Sequence, residues 1–138
     1  MAELKVSHRY PFPAERVFDA WLDPKTARRF LFATPDGEIV RAEIDARVGG
    51  RFVFVDRRPD TGDVLHEGEY EEIDRPHRLV FTFAVPQYDP GLTRVALDFA
   101  AVDGGCEVTL THEGVLEDWV AQTVQGWTTI LAGLQRAL

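Results

Sequence analysis

The chain has 138 residues, of which 45% are hydrophobic and 28% are charged, and its formal net charge at pH 7 is -8. This length suits one globular domain with a buried core, so a single domain over residues 1–138 is expected. No apolar run of about 18 residues is present, so membrane insertion is not expected, and the negative charge argues against nucleic acid as a partner.

The first predicted elements are one strand and two short helices. Residues 3–10 alternate in character as a half-buried strand does, with Leu4, Val6, His8 and Tyr10 on one side. Pro13 suits the first turn of a helix, whose apolar stripe continues to Leu22. The Asp23-Pro24 pair then predicts a second short helix through residues 25–32, whose inward-facing residues would be Ala27, Phe30 and Leu31.

From residue 38 to residue 114 the hydrophobic period is two, and turn residues separate the runs, which predicts an antiparallel meander. Six strands are expected, over residues 38–45, 50–56, 64–73, 77–85, 93–102 and 106–113. Two short charged runs, "KTARR" at residues 25–29 and "DRRP" at residues 56–59, are interpreted as solvated surface, as such runs usually are.

Residues 116–138 form the longest run with a helical period. The apolar face of this helix consists of Val120, Val124, Trp127, Leu131, Leu134 and Leu138. Beside it lies a shallower strip that contains Gly126 and Gly133. A glycine inside a helix costs about 1 kcal/mol relative to alanine. These two glycines are therefore interpreted as points where the helix approaches a sheet closely.

Together these elements predict an α+β fold of the helix-grip type. A strongly curved antiparallel sheet of about seven strands wraps around the long C-terminal helix, and the two short helices follow strand one. A curved sheet need not contact a helix along its whole length, so a pocket is expected in the gap between them.

Several segments resemble one known family in order and spacing. The most specific are "GEYEEI" at residues 68–73, "RLVFT" at 78–82, "DARVGG" at 45–50 and "GW" at 126–127. On these motifs the chain resembles the activator of heat-shock protein ATPase homologue family. That family is similar to the wider START-like (SRPBCC) superfamily, to which the birch-pollen allergens belong. The resemblance covers nearly all of the chain and implies a helix-grip fold around a hydrophobic cavity.

The resemblance also implies that aromatic residues on the inner faces line a cavity, although any single one of them is read first as core packing. Two histidines, His66 and His112, share the inner parity. Either imidazole would orient a ligand or act as an acid or base, unless it is a hydrogen-bonded core histidine. The candidate ligand-binding residues are Trp21, Phe30, Phe52, Phe54, His66, Tyr70, Phe81, Phe83, Phe99, His112, Trp119 and Trp127.

Patterns for catalysis, metals and nucleotides are missing from the sequence. It has no G-x-S-x-G elbow, no H-x-x-x-H or C-x-x-C pair, and no glycine-rich loop that opens a helix. No catalytic residue, metal or cofactor is therefore predicted. A single cysteine, Cys106, and a polar N-terminus without a secretory signal predict a cytoplasmic protein.

Three functions stay open at this point. The favoured one is non-catalytic binding of a small hydrophobic or aromatic molecule in the cavity between the sheet and the C-terminal helix. The second is an enzyme of polyketide cyclase or hydrolase type that uses His66, His112 or Tyr70 in that cavity. The third is an interaction protein, with a chaperone as one partner to consider. A homodimer is a further expectation that no residue pattern demonstrates.

Overall fold

The computed structural model describes the backbone of residues 2–138 and the side chains of residues 2–88 and 91–138. The strands are β1 Ala2–Tyr10, β2 Glu38–Ile44, β3 Arg51–Arg58, β4 Gly62–Asp74, β5 Arg78–Val85, β6 Asp89–Val102 and β7 Gly105–Val115. The helices are α1 Ala14–Ala20, α2 Pro24–Ala27 and α3 Val120–Ala137, and a 3₁₀ turn at Glu117–Trp119 precedes α3.

The seven strands form one curved antiparallel sheet in the order β1-β7-β6-β5-β4-β3-β2. Helix α3 packs on its inner face, where the Tyr10 hydroxyl donates a hydrogen bond of 2.7 Å to the carbonyl of Leu131. Leu131 and Leu134, on the face of α3 that packs against the sheet, are fully buried. The predicted α+β helix-grip fold is confirmed.

The faces of the strands follow the predicted alternation. Neighbouring strands pair so that their inner residues meet across the sheet, as Leu79 does with Leu97. The inner residues that are buried include Phe52, Phe54, Leu79, Phe81, Val95, Leu97, Phe99, Val108 and Leu110. Because the side chains of a strand alternate strictly between its two faces, the period in the sequence was sufficient to orient them.

The second short helix ends earlier than predicted. Asp23 caps α2 by accepting hydrogen bonds from the Lys25 amide and the Thr26 hydroxyl, both at 3.1 Å. The helix stops at Ala27, and tighter turns carry the chain to residue 32. Phe30 and Phe32 are both buried. On a regular helix two residues spaced by two point about 200° apart, so a helix through residue 32 would have left one of the two rings in solvent.

Several other boundaries differ from the sequence prediction, since β3 continues to Arg58 and β4 begins at Gly62. Strand β6 begins at Asp89, because Val85 and Asp89 pair across a shorter hairpin than expected. The α-helical part of the last segment begins at Val120, after the 3₁₀ turn. Within residues 2–138, no helix is long and apolar enough to cross a membrane.

Candidate functional site

A cleft of about 410 Å³ opens between α3 and the sheet. Its apolar wall includes the rings of Phe32, Phe83 and Trp127. A smaller space of about 170 Å³ adjoins it and shares four lining residues with it: Phe83, Val85, Tyr88 and Thr123. We call the larger space the cleft and the smaller one the side pocket.

Phe32 is the centre of the aromatic wall. Its ring is nearly parallel to those of His66 and Phe83, with centroid distances of 4.6 Å and 5.0 Å. The backbone of Phe32 has a φ of 61°, in the left-handed region that bulky residues rarely adopt. Such a conformation costs on the order of 1–3 kcal/mol and persists only where the surroundings impose it. Ring packing against β4 and β5 therefore holds this residue at the cleft.

His66 supplies a polar group to the wall of the cleft. Its side chain is buried, and its Nδ1 has no hydrogen-bond partner among the described residues. The pKa of His66 is lowered to about 4, chiefly by burial and then by the nearby Arg58, while Asp56 acts in the opposite direction. The imidazole is therefore neutral at pH 7, and its ring lines the cleft while the unpartnered Nδ1 is itself buried.

His112 forms a hydrogen-bonded hub between the sheet and α3. Its Nδ1 accepts a hydrogen bond of 3.0 Å from the indole N–H of Trp127, so its proton must lie on Nε2. That nitrogen lies 2.8 Å from the hydroxyl oxygen of Thr93, which donates to the carbonyl of Phe83. Both ring nitrogens thus serve the scaffold, and burial lowers the pKa of His112 to about 4.

Acidification is expected to destabilise the protein because both histidines are neutral in the fold. Each pKa falls from 6.5 to about 4, so below pH 6.5 the unfolded chain binds protons that the folded chain does not. The stability that each histidine contributes is present above pH 6.5 and is lost as the pH falls toward 4. Between about pH 7.5 and about pH 5 the loss is about 2 kcal/mol for each histidine.

Urea unfolding followed by circular dichroism at those two pH values measures this loss. In the His112→Gln variant the amide replaces both hydrogen bonds without titrating, so the loss should be smaller by about 2 kcal/mol. An equal loss in the variant and in the wild type would contradict the prediction for His112.

The run "DRRP" is not uniformly solvated, which corrects the interpretation from sequence. Asp56 is 0% exposed, and its Oδ2 accepts hydrogen bonds from Thr34 at 2.8 Å and from Arg58 at 2.9 Å. The side chain of Arg58 is 24% exposed and lines the cleft, whereas that of Arg57 is 61% exposed and pairs with Asp63. Asp56 and Arg58 lie on the same face of β3 as Phe54. This alternation was visible in the sequence but was discounted because the residues stand in a run of charges.

The structure separates the twelve candidate residues into two groups. His66, Phe83 and Trp127 line the cleft. Phe83, His112 and Trp119 line the side pocket, so five candidates border one space or the other. The other seven form the packed interior: Trp21, Phe30, Phe52, Phe54, Tyr70, Phe81 and Phe99. A space of only about 10 Å³ remains beside Trp21 and Phe52, at the lower limit for one water. A ligand contact by any of the seven stays a prediction.

The three groups considered for catalysis do not share one space. His66 lines the cleft and His112 the side pocket, while Tyr70 borders the small interior gap, where burial raises the pKa of its hydroxyl. A shared acid–base site would need two such groups within hydrogen-bond reach of one point. The described side chains, those of residues 2–88 and 91–138, also bring together no group of three His, Cys, Asp or Glu suited to a metal ion.

The surroundings of Gly126 contradict the interpretation that both glycines of α3 allow the helix to approach a sheet closely. A Cβ built on Gly126 would have no atom within 4 Å, because this face of α3 borders the open cleft. At Gly133 the nearest atom is the Cβ of Phe30 at 3.6 Å, an ordinary contact with the segment after α2. The absent side chain at residue 126 therefore leaves space in the cleft.

Of the sixteen residues that line the cleft, thirteen were not among the candidates, and these include Phe32, Thr34, Arg58 and Gly126. The parity of Arg58 with Phe54, and the position of Gly126 on the shallow strip of α3, were visible in the sequence. Phe32 and Thr34 lie in an irregular segment, where no period indicates which way a side chain points.

Comparisons with known proteins agree with this architecture. Protein CV1439 from Chromobacterium violaceum is 22% identical, with a TM-score of 0.88 over 100% of this chain and 98% of that chain. The AHSA1-like protein from Aeromonas hydrophila is 27% identical, with a TM-score of 0.85 over 99% of this chain and 91% of that chain. CalU16 from Micromonospora echinospora is 20% identical, with a TM-score of 0.73 over 98% of this chain and 74% of that chain.

No curated protein matches the chain. The model of one family, described as activator of Hsp90 ATPase homolog 1-like protein, matches residues 11–138. Since that match covers nearly the whole sequence and the helix-grip fold accompanies it, the chain belongs to the activator of Hsp90 ATPase homolog 1-like family.

Proposed function

We propose that the protein binds a small, flat, largely aromatic molecule in the cleft between the sheet and α3, without catalysing its conversion. The observation that carries this proposal is the aromatic wall of Phe32, Phe83 and Trp127 around about 410 Å³ of open space. That volume lies in the range of small-molecule sites, which are mostly apolar with a few placed polar groups. A cytoplasmic location, a homodimer and a chaperone partner stay predictions.

Small residues on the side of α3 that faces the sheet leave space for the cleft. Thr123, Gly126 and Thr129 line this part of the helix. Opposite them, the rings of Phe32 and Phe83 form a stack with nearly parallel planes and centroids 5.0 Å apart, so a ligand meets the edges and outer faces of this stack. Flat aromatic molecules stack on such rings, and offset stacking adds about 0.5–1.5 kcal/mol to the gain from burial. The shape and the chemistry of the cleft therefore favour a planar apolar ligand.

A leucine at residue 126 is expected to block the site. The Gly126→Leu side chain enters the cleft without a clash at its Cβ, so the fold should persist while the space is filled. We expect the affinity for the neutral two-ring probe 2-naphthamide, measured by quenching of tryptophan fluorescence, to fall at least about tenfold, which corresponds to about 1.4 kcal/mol.

The matched control is Ala121→Leu, which adds a leucine at an exposed position of the same helix, away from the cleft. This variant should bind 2-naphthamide as the wild type does. If Gly126→Leu bound the probe with unchanged affinity, the probe would not lie in the cleft, and the proposal would fail.

A further inference from the structure

The polar end of the cleft is built around the Asp56–Arg58 pair. Asp56 is completely buried, and it accepts hydrogen bonds from Arg58 and from the hydroxyl of Thr34. Removing a carboxylate from water is costly unless it is paired and hydrogen-bonded, and here Oδ2 makes both bonds while Oδ1 is buried without a partner among the described residues. The pair therefore fixes the position of the Arg58 guanidinium at the wall of the cleft.

Arg58 retains donors that the protein does not use. Asp56 accepts from its Nε, at 2.9 Å. Within the described part of the chain, the two terminal nitrogens of Arg58 have no hydrogen-bond partner. Those nitrogens form the end of the planar fork that binds a carboxylate through two parallel hydrogen bonds. Because Arg58 lines the cleft, this end is available to a bound molecule.

The charges around the cleft favour an anion at this point. Among the described residues that line the cleft, Arg58 is the one with a formal charge, because His66 is neutral at pH 7. The net charge of the whole chain is -8, but exposed charges are largely screened beyond about 8 Å at physiological ionic strength. Asp56 neutralises the pair as a whole, but it is fully buried and does not line the cleft, so the guanidinium is the charged group that a bound molecule contacts.

From these contacts we infer that the cleft selects aromatic molecules that carry a carboxylate, with the carboxylate on the terminal nitrogens of Arg58 and the rings against Phe32 and Phe83. This inference rests on the proposed function and names the chemical class of its ligand. Asp56 acts as a positioning residue, because it holds Arg58 and lies beneath the surface of the cleft.

The test compares two probes of equal shape, 2-naphthoate and its neutral analogue 2-naphthamide, by isothermal titration calorimetry. The wild type should bind the acid at least about tenfold more tightly, since hydrogen bonds to a charged acceptor are roughly twice as strong as neutral ones. Arg58→Gln should abolish this preference, because it should weaken binding of the acid far more than binding of the amide, whose carbonyl makes only neutral-acceptor hydrogen bonds. Arg57→Gln is the matched control, because it removes the adjacent exposed arginine, and it should keep the preference.

Arg58→Gln leaves the buried Asp56 without its cation, which destabilises the fold, so the double variant Asp56→Asn, Arg58→Gln removes both charges together. Loss of the preference in either variant supports the inference. Equal affinity of the wild type for both probes, or a preference that persists in the double variant, overturns it. If the inference is overturned but Gly126→Leu still lowers the affinity for 2-naphthamide, the proposed function holds without it. If the wild type binds neither probe, both fail.

Discussion

Replacing Trp127 with alanine is expected to lower the free energy of unfolding by about 5 kcal/mol. The indole is buried, with its ring centroid 5.9 Å from those of Phe32 and Phe83, and it donates the hydrogen bond to Nδ1 of His112. Alanine would leave a large void between α3 and the sheet. It would also leave a buried imidazole nitrogen without its donor, which adds to the cost of the void.

Chemical unfolding monitored by circular dichroism measures this effect, and two variants separate its causes. Trp127→Phe keeps an aromatic ring and loses the hydrogen bond, so its cost should be about 1–3 kcal/mol. Trp119→Ala removes a tryptophan that is 39% exposed and contacts Tyr88 at the side pocket, and its cost should be about 1 kcal/mol or less. The hub at His112 would be of little importance if Trp127→Ala were no more destabilising than Trp119→Ala.

Replacing Gly68 with alanine is expected to destabilise the protein by at least about 3 kcal/mol, although it adds only one methyl group. A Cβ on Gly68 would lie 1.8 Å from the carbonyl oxygen of Thr82 and 2.6 Å from the ring of Phe52. The first of these atoms belongs to the backbone of the neighbouring strand β5, so it cannot move without disturbing the ladder. The sheet accommodates no side chain at this position.

The matched control for Gly68→Ala is the same substitution on the helix. Gly126→Ala meets no atom within 4 Å and replaces a poor helix former, so it should stabilise the protein by up to about 1 kcal/mol. Thermal unfolding of the two variants should therefore shift in opposite directions. A soluble Gly68→Ala variant with wild-type stability would show that the strands at this point are farther apart than described.

The chemistry of the cleft is suited to recognition rather than to proton transfer. His112 uses both ring nitrogens in the scaffold, and Tyr70 borders a different space. His66 is neutral and its unpartnered Nδ1 is buried, so it presents its ring to the cleft. Arg58 adds donors without a proton that it could release at neutral pH.

The sequence by itself predicted the architecture and the inner face of most strands. In β2 a bulge between Ile39 and Arg41 breaks the period, so that Ile39 is buried while Val40 is exposed. Phe52 and Phe54, or Leu97 and Phe99, could be oriented because alternation along a strand is a local property that one period describes. The same holds for Trp127 and the buried leucines of α3, which recur at helical spacing. The elements predicted in this way are also those that carry the family motifs.

The candidate site was predicted only in part. His66 and Phe83 were chosen correctly as inward-facing, and both line the cleft. Phe32 was missed because a left-handed residue in an irregular segment follows no period. Arg58 was missed because its parity was discounted in a run of charges, and only the burial of Asp56 shows that the pair is part of the interior.

Only the tertiary structure decided where packing stops and the cleft begins. The choice depends on how three distant parts of the chain meet: the segment after α2, the end of β3, and the face of α3 that contains Gly126. Each aromatic residue has the same local signature whether it fills the core, as Phe54 does, or borders open space, as Phe83 does. Local periodicity encodes which way a side chain points, whereas the distance to the opposite wall is set by long-range packing.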